Sequence, residues 1–307
     1  MRLAIAVCAV LAMLVALGIA ASNPVGFQKV GALTSDPLPT FAPREAVRIG
    51  PIVRGIPDRG PEGTADTVYE VLPAARYQRS VVEGMGNCSN LVKALAWSLL
   101  RNGYEVEVVH LLPLSSLSSF LEGEGHTLLR AKLALPEGER VGVVDVAAAA
   151  IPRADGRALD ADDLVTVQSP VVLDPLRPES EDWSRFYTPE FRSSAVVGRI
   201  SGADSDRWFH FLELAHLDIG IPEKIDKILY VGIGVVIGVY PLIHVADLGA
   251  LRAREPGTFF AMGAALWALR IAPFVLFGCA IWWLVDRVRG PAAPRETSAF
   301  LLPDEAP

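Results

Sequence analysis

The sequence has few of the side chains that usually hold a metal ion or form a disulfide. It contains three cysteines and five histidines in 307 residues, and Cys8 and Cys279 lie within long apolar stretches. Cys88 therefore has no partner for a disulfide in the polar part of the chain. His210 and His216 are six positions apart, which does not place them on one face of a helix. We predict neither a zinc site nor a cofactor.

Positive charge is also scarce and scattered. The formal net charge is −7, and no block of lysines and arginines is interleaved with aromatic residues. This pattern excludes nucleic acid as a partner, because a phosphate backbone is bound by clustered cations. The aspartates at positions 155, 160, 162 and 163 do not have the spacing of a calcium loop, and helix capping explains them better. We therefore predict no metal-binding residues.

Long apolar runs are present at both ends of the chain. Met1-Arg2 precedes a charge-free run that reaches Ala21, which is typical of an export signal and is also long enough for a retained membrane anchor. Residues 228–246 and 258–285 are each long enough to cross a bilayer, with Trp282 and Trp283 suited to its interface. We predict that they form a hairpin of two membrane helices.

The charges beside these runs do not select one orientation. If the central domain is exported, Arg252 and Arg254 lie in a cytoplasmic loop, but the arginines of the tail lie outside. The reverse orientation places the arginines of the tail in the cytoplasm, as the positive-inside tendency requires, but it also places the domain there. The N-terminal segment favours export, so we expect a bacterial inner-membrane protein with its domain on the extracytoplasmic side.

An amphipathic segment precedes the first of the two C-terminal apolar runs. Residues 206–217 contain Trp208, Phe209 and Phe211, which suit the headgroup region of a membrane. An ordinary helix that closes the domain fits the same composition.

The most informative stretch is the one around Cys88. Two glycines before it permit a tight bend, and Asn87 can cap a helix whose apolar positions continue to Leu100. Gly103 then provides a left-handed stop. Cys88 would lie in the first turn of this helix, where unpaired backbone N–H groups favour the thiolate that a nucleophile requires.

A predicted β-hairpin follows, with His126 on its first arm and Asp145 on its second. A turn between Glu137 and Gly138 leaves the two residues about four positions out of step, whereas a turn at Leu135-Pro136 or a bulge sets them opposite each other. In the second case the carboxylate holds one imidazole nitrogen while the other faces the thiol. Asp174 is a competing acid, but it lies on a later element, so Asp145 is preferred.

The run from Gly86 to His110, together with His126 and Asp145, resembles the core of the transglutaminase-like superfamily. In that core a cysteine after a glycine turn begins a helix that ends in a Leu-Arg-x-Gly type of stop, and a strand then precedes a His and an Asp on neighbouring strands. The resemblance extends from 68 to 164. Thr127-Leu128 stands where many members have an aromatic residue, and Val146 stands where proline is common.

The resemblance implies a papain-like α+β domain in which a helix packs on an antiparallel sheet. It also implies that Cys88 is the nucleophile, His126 the general base and Asp145 the residue that orients the imidazole. The implied activity is acyl transfer at an amide bond of a peptide or protein substrate, with hydrolysis by a peptidase or amidase favoured over cross-linking. Cell-envelope components and membrane lipid are the expected partners.

The alternative is an inactive module of the same fold that binds or scaffolds a bacterial cell-surface polysaccharide system. The predicted organisation is 1–22 signal peptide or anchor, 23–63 extended linker, 64–205 transglutaminase-like domain, 206–227 juxtamembrane amphipathic segment, 228–285 two transmembrane helices, and 286–307 polar tail.

Overall fold

The structure is a computed structural model with helices packed on antiparallel sheets, which confirms the α+β class. It describes residues 2–22, 45–57, 68–113, 125–178, 183–217, 220–241, 243–245, 248–254 and 256–289. The strands are β1 Val106–Pro113, β2 His126–Leu135, β3 Gly138–Val144, β4 Ala150–Ala154, β5 Arg157–Ala158, β6 Val172–Pro175, β7 Ala195–Ile200 and β8 His244–Val245.

The helices pack on both faces of the larger sheet and at its ends. In chain order they are α1 Arg2–Ser22, α2 Ile49–Arg54, α3 Pro73–Tyr77 with a π-helical turn Gln78–Val82, α4 Cys88–Arg101, α5 Asp163–Thr166, a 3-10 helix Ser184–Tyr187, α6 Pro189–Ser193, α7 Gly202–Ala215, α8 Glu223–Ile237, α9 Leu248–Arg254 and α10 Pro256–Arg289.

The main sheet has five strands in the order β3-β2-β1-β7-β8, and every neighbouring pair is antiparallel. Helix α4 packs across its central strands. Leu91, Leu95 and Leu99 recur every four residues on one face of the helix and share a buried cluster with Val108 of β1 and Leu129 of β2. The helix ends at Arg101 and is followed by a left-handed glycine, as predicted.

The described part of the segment 23–63, predicted as an extended linker that packs on the domain, contains a short helix. Residues 45–57 belong to the domain, where α2 buries Ile49 and Val53 in the same core as α4. Val47 donates its N–H to the carbonyl of Lys132 at 2.7 Å and accepts from the N–H of Ala134 at 3.0 Å. The apolar residues of this stretch are spaced for a helical turn, and burying them adds the segment to the core. The remainder of 23–63 lies outside the described residues.

The segment predicted to lie along lipid headgroups packs on the domain instead. Helix α7 buries Trp208, Phe209 and Leu212 in a cluster that includes Trp97 of α4. A Cβ on Gly234 of α8 would stand 2.4 Å from the Trp208 ring, so a glycine is required for the close approach of α8 to α7. Because these rings are buried in the protein, α7 is the domain-closing helix of the alternative interpretation.

The membrane helix predicted over 228–246 is wrong in its extent. Helix α8 ends at Ile237, and Gly238 follows with a φ of 79°. The chain then returns to the domain, where Ile243 is fully buried and β8 pairs with β7. Within the described part of the chain, the helix Phe259–Val288 is long and apolar enough to cross a membrane, and Ala4–Ala16 is a shorter apolar helix.

Helices α1, α8 and α10 pack together at the end of the domain. Ala16 of α1, Val235 of α8 and Leu269 of α10 are buried in one apolar cluster. The large apolar side chains on the outer surface of α10, among them Phe274 and Trp283, are exposed. This helical unit therefore has a packed interior and an apolar exterior.

Candidate active site

Local sequence places Cys88 at the first position of α4. The side chain of Asn87 accepts a hydrogen bond from the N–H of Asn90 at 3.0 Å, and the side chain of Asn90 accepts from the N–H of Asn87 at 3.4 Å, which forms a capping box. Gly86 has a φ of 87°, and a Cβ there would stand 2.8 Å from Val68. The glycine turn and the cap together present the sulfur at the helix N-terminus.

The hairpin register differs from both alternatives drawn from the sequence. Leu135 pairs with Gly138, so the loop is Pro136-Glu137, and Leu129 pairs with Val144. Continuing this register places Asp145 beside Leu128, two positions from His126. An even offset keeps both side chains on one face, and a diagonal pair is close enough for long side chains to meet.

His126 and Asp145 are joined by a hydrogen bond. The Nε2 atom of His126 lies 2.6 Å from Oδ2 of Asp145, and both side chains are fully buried. The same Oδ2 accepts from the hydroxyl of Tyr187 at 2.7 Å, and Oδ1 accepts from the N–H of Ala148 at 2.9 Å. Three donors therefore compensate the burial of this carboxylate.

The His126 ring is held by aromatic residues that the sequence reasoning did not assign to the site. Its centroid lies 4.5 Å from that of Phe186 and 4.9 Å from that of Trp183, with nearly parallel planes. The region 179–202 is recognisable in the sequence as a polar and aromatic cover for the domain. That composition is the signal that points to Trp183, Phe186 and Tyr187.

The second imidazole nitrogen is the one left for the thiol. Nδ1 of His126 is buried and makes no hydrogen bond of standard geometry within the described residues. Burial lowers the pKa of His126, but the charge and hydrogen bond of Asp145, together with the interaction with Cys88, raise it to about 10. The imidazole is therefore held in its charged form beside the sulfur.

The interaction with His126 lowers the pKa of the Cys88 thiol. Burial raises the pKa of Cys88, but the His126 imidazole and the backbone N–H of Thr127 outweigh it and lower this pKa below its ordinary value. For Tyr187, burial and the charge of Asp145 raise the pKa well above the usual range, so its hydroxyl remains a donor. The site therefore favours a thiolate and imidazolium pair.

Cys88 is the least buried of the three residues. His126 is 1% exposed and Asp145 is 0% exposed, whereas Cys88 is half-buried. The backbone N–H groups of Cys88 and Ser89 have no acceptor among the residues that the structure describes. A carbonyl group that approaches the sulfur would thus meet two free donors at the start of α4.

The other residues considered in the sequence are occupied elsewhere. Asp174 forms an ion pair with Arg153 at 2.8 Å, so it is not the acid beside His126. His110 lies within β1 and bonds the hydroxyl of Thr127 at 3.1 Å. Asp160 and Asp163 pair with Arg130 and Arg157, and His216 pairs with Asp226. The described residues contain no group of three or more acidic, histidine or cysteine side chains that would hold a metal ion.

Comparison of the chain with models of protein families, with curated proteins and with solved structures finds no match.

Proposed function

We propose that this protein is a membrane-anchored cysteine enzyme of the transglutaminase-like type, which transfers or hydrolyses an acyl group through a thioester on Cys88. The observation that carries the proposal is that Cys88, which is not fully buried, interacts with His126, and that His126 is in turn hydrogen-bonded to Asp145. A structural cysteine is typically buried and inert, whereas a reactive one is partly exposed and lies in a positive environment.

In the proposed reaction the Cys88 thiolate attacks the carbonyl carbon of an amide. The new C–S bond forms as the C–N bond breaks, and the imidazolium of His126 gives its proton to the departing amine. His126 then accepts a proton from water or from a second amine that attacks the thioester. The products are an acid or a new amide and the free thiol, so atoms and protons balance. Asp145 keeps the proton of Nε2 in place and thereby directs Nδ1 to the sulfur.

The negative charge that develops on the carbonyl oxygen requires hydrogen-bond donors. The N–H of Cys88 is one such donor, and the N–H of Ser89 is the second that we propose, since both lack an acceptor among the described residues. Donors of this kind commonly contribute about 100-fold or more to the rate. The resemblance to the transglutaminase-like family favours water over an amine as the acceptor.

Acylation by p-nitrophenyl acetate tests this proposal. The expected result is a stoichiometric burst of p-nitrophenolate and one acetyl group on Cys88, which mass spectrometry locates and hydroxylamine removes, because a thioester is sensitive to hydroxylamine. Cys88→Ala should abolish the burst, and the matched variant Cys279→Ala should keep it. If Cys88 gains no acetyl thioester, the inactive scaffold of a cell-surface polysaccharide system becomes the better interpretation.

We further propose that α1 and α10 cross the membrane antiparallel to each other, with the domain outside the cytoplasm. Met13 and Ala16, from the second half of α1, share a packed cluster with Leu266 and Leu269, from the first half of α10. Helix α1 has 21 residues, about 31 Å of rise, which matches a hydrocarbon core of about 30 Å.

In the predicted hairpin the arginines of the tail lie outside the cytoplasm, against the positive-inside tendency. The arrangement of α1 and α10 removes this conflict. Because α8 does not span, the end of α10 lies on the opposite side of the membrane from the domain, and so does the start of α1. Arg2, Arg287 and Arg289 are then all cytoplasmic, in agreement with the positive-inside tendency. The packing of Ala16 against α8 and α10 also favours an α1 that is retained as an anchor.

Single cysteines in a variant without native cysteines check this topology. In cells with a permeabilised outer membrane, an impermeant maleimide should label Glu190→Cys on the domain but should reach Ser298→Cys in the tail only after lysis. Labelling of both positions before lysis would support the hairpin instead. Labelling of the tail alone would place the domain in the cytoplasm.

A further inference from the structure

A group of four cations flanks the start of α4, and the proposed reaction does not use them. The group, here called the cationic flank, consists of Arg76, Lys93, Lys224 and Lys227. An extended segment brings it to the site, because Val68 donates to Oδ1 of Asn90 at 3.2 Å and accepts from Nδ2 at 2.8 Å.

Tyr69, the next residue of this segment, contacts two members of the flank. The ammonium nitrogen of Lys227 lies 5.2 Å from the centroid of the Tyr69 ring, and that of Lys224 lies 5.8 Å from it. Both lysines come from the first turns of α8, three positions apart and hence on one face of the helix. The membrane-proximal helix therefore presents positive charge towards the segment that borders Cys88.

Lys93 and Arg76 place further positive charge near the same point. Lys93 lies on α4, and its charge interacts with those of Lys227, Arg76 and the Cys88 thiolate. Arg76 is held by two hydrogen bonds to the carbonyl of Glu70, at 2.6 and 2.9 Å. Burial, and then the neighbouring cations, lower the pKa of Lys93 to about 7, and burial followed by Arg76 lowers the pKa of Lys227 to about 8.

Few carboxylates of the described residues balance these charges. Glu223 pairs with Arg79 at 3.0 Å, and Asp226 pairs with His216 at 2.8 Å. The carboxylate of Glu70 is the acid that lies near Arg76. Lys93 and Lys227 form no ion pair within the described part of the chain. Two half-buried lysines without a carboxylate partner among the described residues are unusual in a protein whose formal net charge is −7.

We infer that the cationic flank binds an anionic group of the substrate, a carboxylate or a phosphate carried next to the scissile amide bond. The carboxylate partner that Lys93 and Lys227 lack among the described residues is then supplied by the ligand. This inference rests on the proposed function, because it assigns the flank to the same reaction at Cys88. It defines the substrate class as an acidic peptide or an acidic envelope component.

Two alkylating reagents of nearly equal size test the inference. Iodoacetate is an anion and iodoacetamide is neutral, and in both cases the sulfur of Cys88 displaces iodide as the S–C bond forms. The measured quantity is the ratio of the two rate constants at Cys88, followed by peptide mass spectrometry at pH 6. At this pH both lysines are cationic, and even an unactivated thiol reacts slowly with both reagents, so the ratio is obtained whether or not Cys88 is activated.

The double variant Lys93→Gln with Lys227→Gln should lower the ratio of the iodoacetate rate to the iodoacetamide rate by about threefold to tenfold. In water, one positive charge raises the local concentration of a nearby anion by a factor of roughly two to three, and the variant removes two such charges. Any change in the thiolate fraction of Cys88 affects both reagents equally and cancels in the ratio. Lys132→Gln, which removes a lysine already paired with Glu139 at 2.7 Å, is the matched control and should leave the ratio unchanged.

Added salt should reduce the wild-type ratio towards that of the double variant. If the double variant keeps the wild-type ratio, or if Lys132→Gln lowers the ratio equally, the flank does not bind an anion at the site. The proposed function is tested by a different quantity, the rate of the wild-type protein with iodoacetamide. If Cys88 is not an activated nucleophile, that rate is slow, whereas the ratio of the two rates is unaffected. Inhibition of iodoacetate labelling by inorganic phosphate or by acetate would then show which anion is preferred.

Discussion

Replacement of His126 by glutamine should lower the rate at which iodoacetamide alkylates Cys88 at pH 6 by about tenfold or more, because each unit of pKa changes the thiolate fraction about tenfold. In the wild-type protein the imidazole lowers the pKa of the thiol and keeps a thiolate available. Without the imidazole the pKa returns to an ordinary value of about 8.5 or higher, so that less than about 1% of Cys88 is ionised at pH 6. Mass spectrometry of the Cys88 peptide measures the rate directly.

The dependence of the alkylation rate on pH distinguishes the loss of thiolate from unfolding of the His126 variant. Because the pKa of Cys88 is lowered and that of His126 is raised to about 10, the wild-type rate should rise less steeply between pH 6 and pH 9 than the rate of the variant. The rate of the variant should rise about tenfold per pH unit until it approaches the wild-type value. His110→Gln is the matched control, since His110 is also buried but bonds Thr127 instead of the acid. An equal loss in His110→Gln would assign the effect to general disruption of the sheet.

Replacement of Asp145 by alanine should lower the free energy of unfolding by about 3 to 5 kcal/mol. The substitution leaves His126, Tyr187 and the N–H of Ala148 as buried donors without their acceptor. Tyr187→Phe removes one donor and keeps the carboxylate bonded to the other two, so it should cost about 1 to 2 kcal/mol. Chemical denaturation of the detergent-solubilised protein measures both values.

A surface carboxylate provides the comparison for Asp145. Asp174→Ala removes an ion pair whose carboxylate side chain is 48% exposed, and it should cost less than about 1 kcal/mol. If Asp145→Ala is no more destabilising than Asp174→Ala, the buried carboxylate does not organise the site. Tyr187→Phe should also shift the pH profile of Cys88 labelling, which a purely structural tyrosine would leave unchanged.

The helix that carries Cys88 illustrates what could be predicted. Its start depends on Gly86, on the Asn87 cap and on the first apolar positions, all within a few residues of one another. Its end depends on Gly103, whose left-handed backbone is a local property. Interactions over such short distances along the chain leave a direct pattern in the sequence.

The apolar C-terminal part of the chain illustrates what could not be predicted from the sequence. Residues 228–246 are apolar enough for a spanning helix, yet Gly238 ends α8 and Ile243 is buried in the domain core. An apolar residue gains similar free energy in a bilayer and in a protein interior, so hydropathy alone does not distinguish the two environments. The same ambiguity concerns Trp208 and Phe209, which the structure buries against α4 and α8.

Local chemistry in the amino-acid sequence decided that a cysteine begins a capped helix and that a histidine and an aspartate lie on the two arms of one hairpin. Tertiary structure decided that these arms are offset by two positions, that Tyr187 joins the acid from 42 residues away, and that α8 brings two lysines to the Tyr69 ring. The physical reason is distance along the chain. Caps and turns are set by neighbouring residues, whereas strand register and the contacts of remote elements depend on the packing of the whole core.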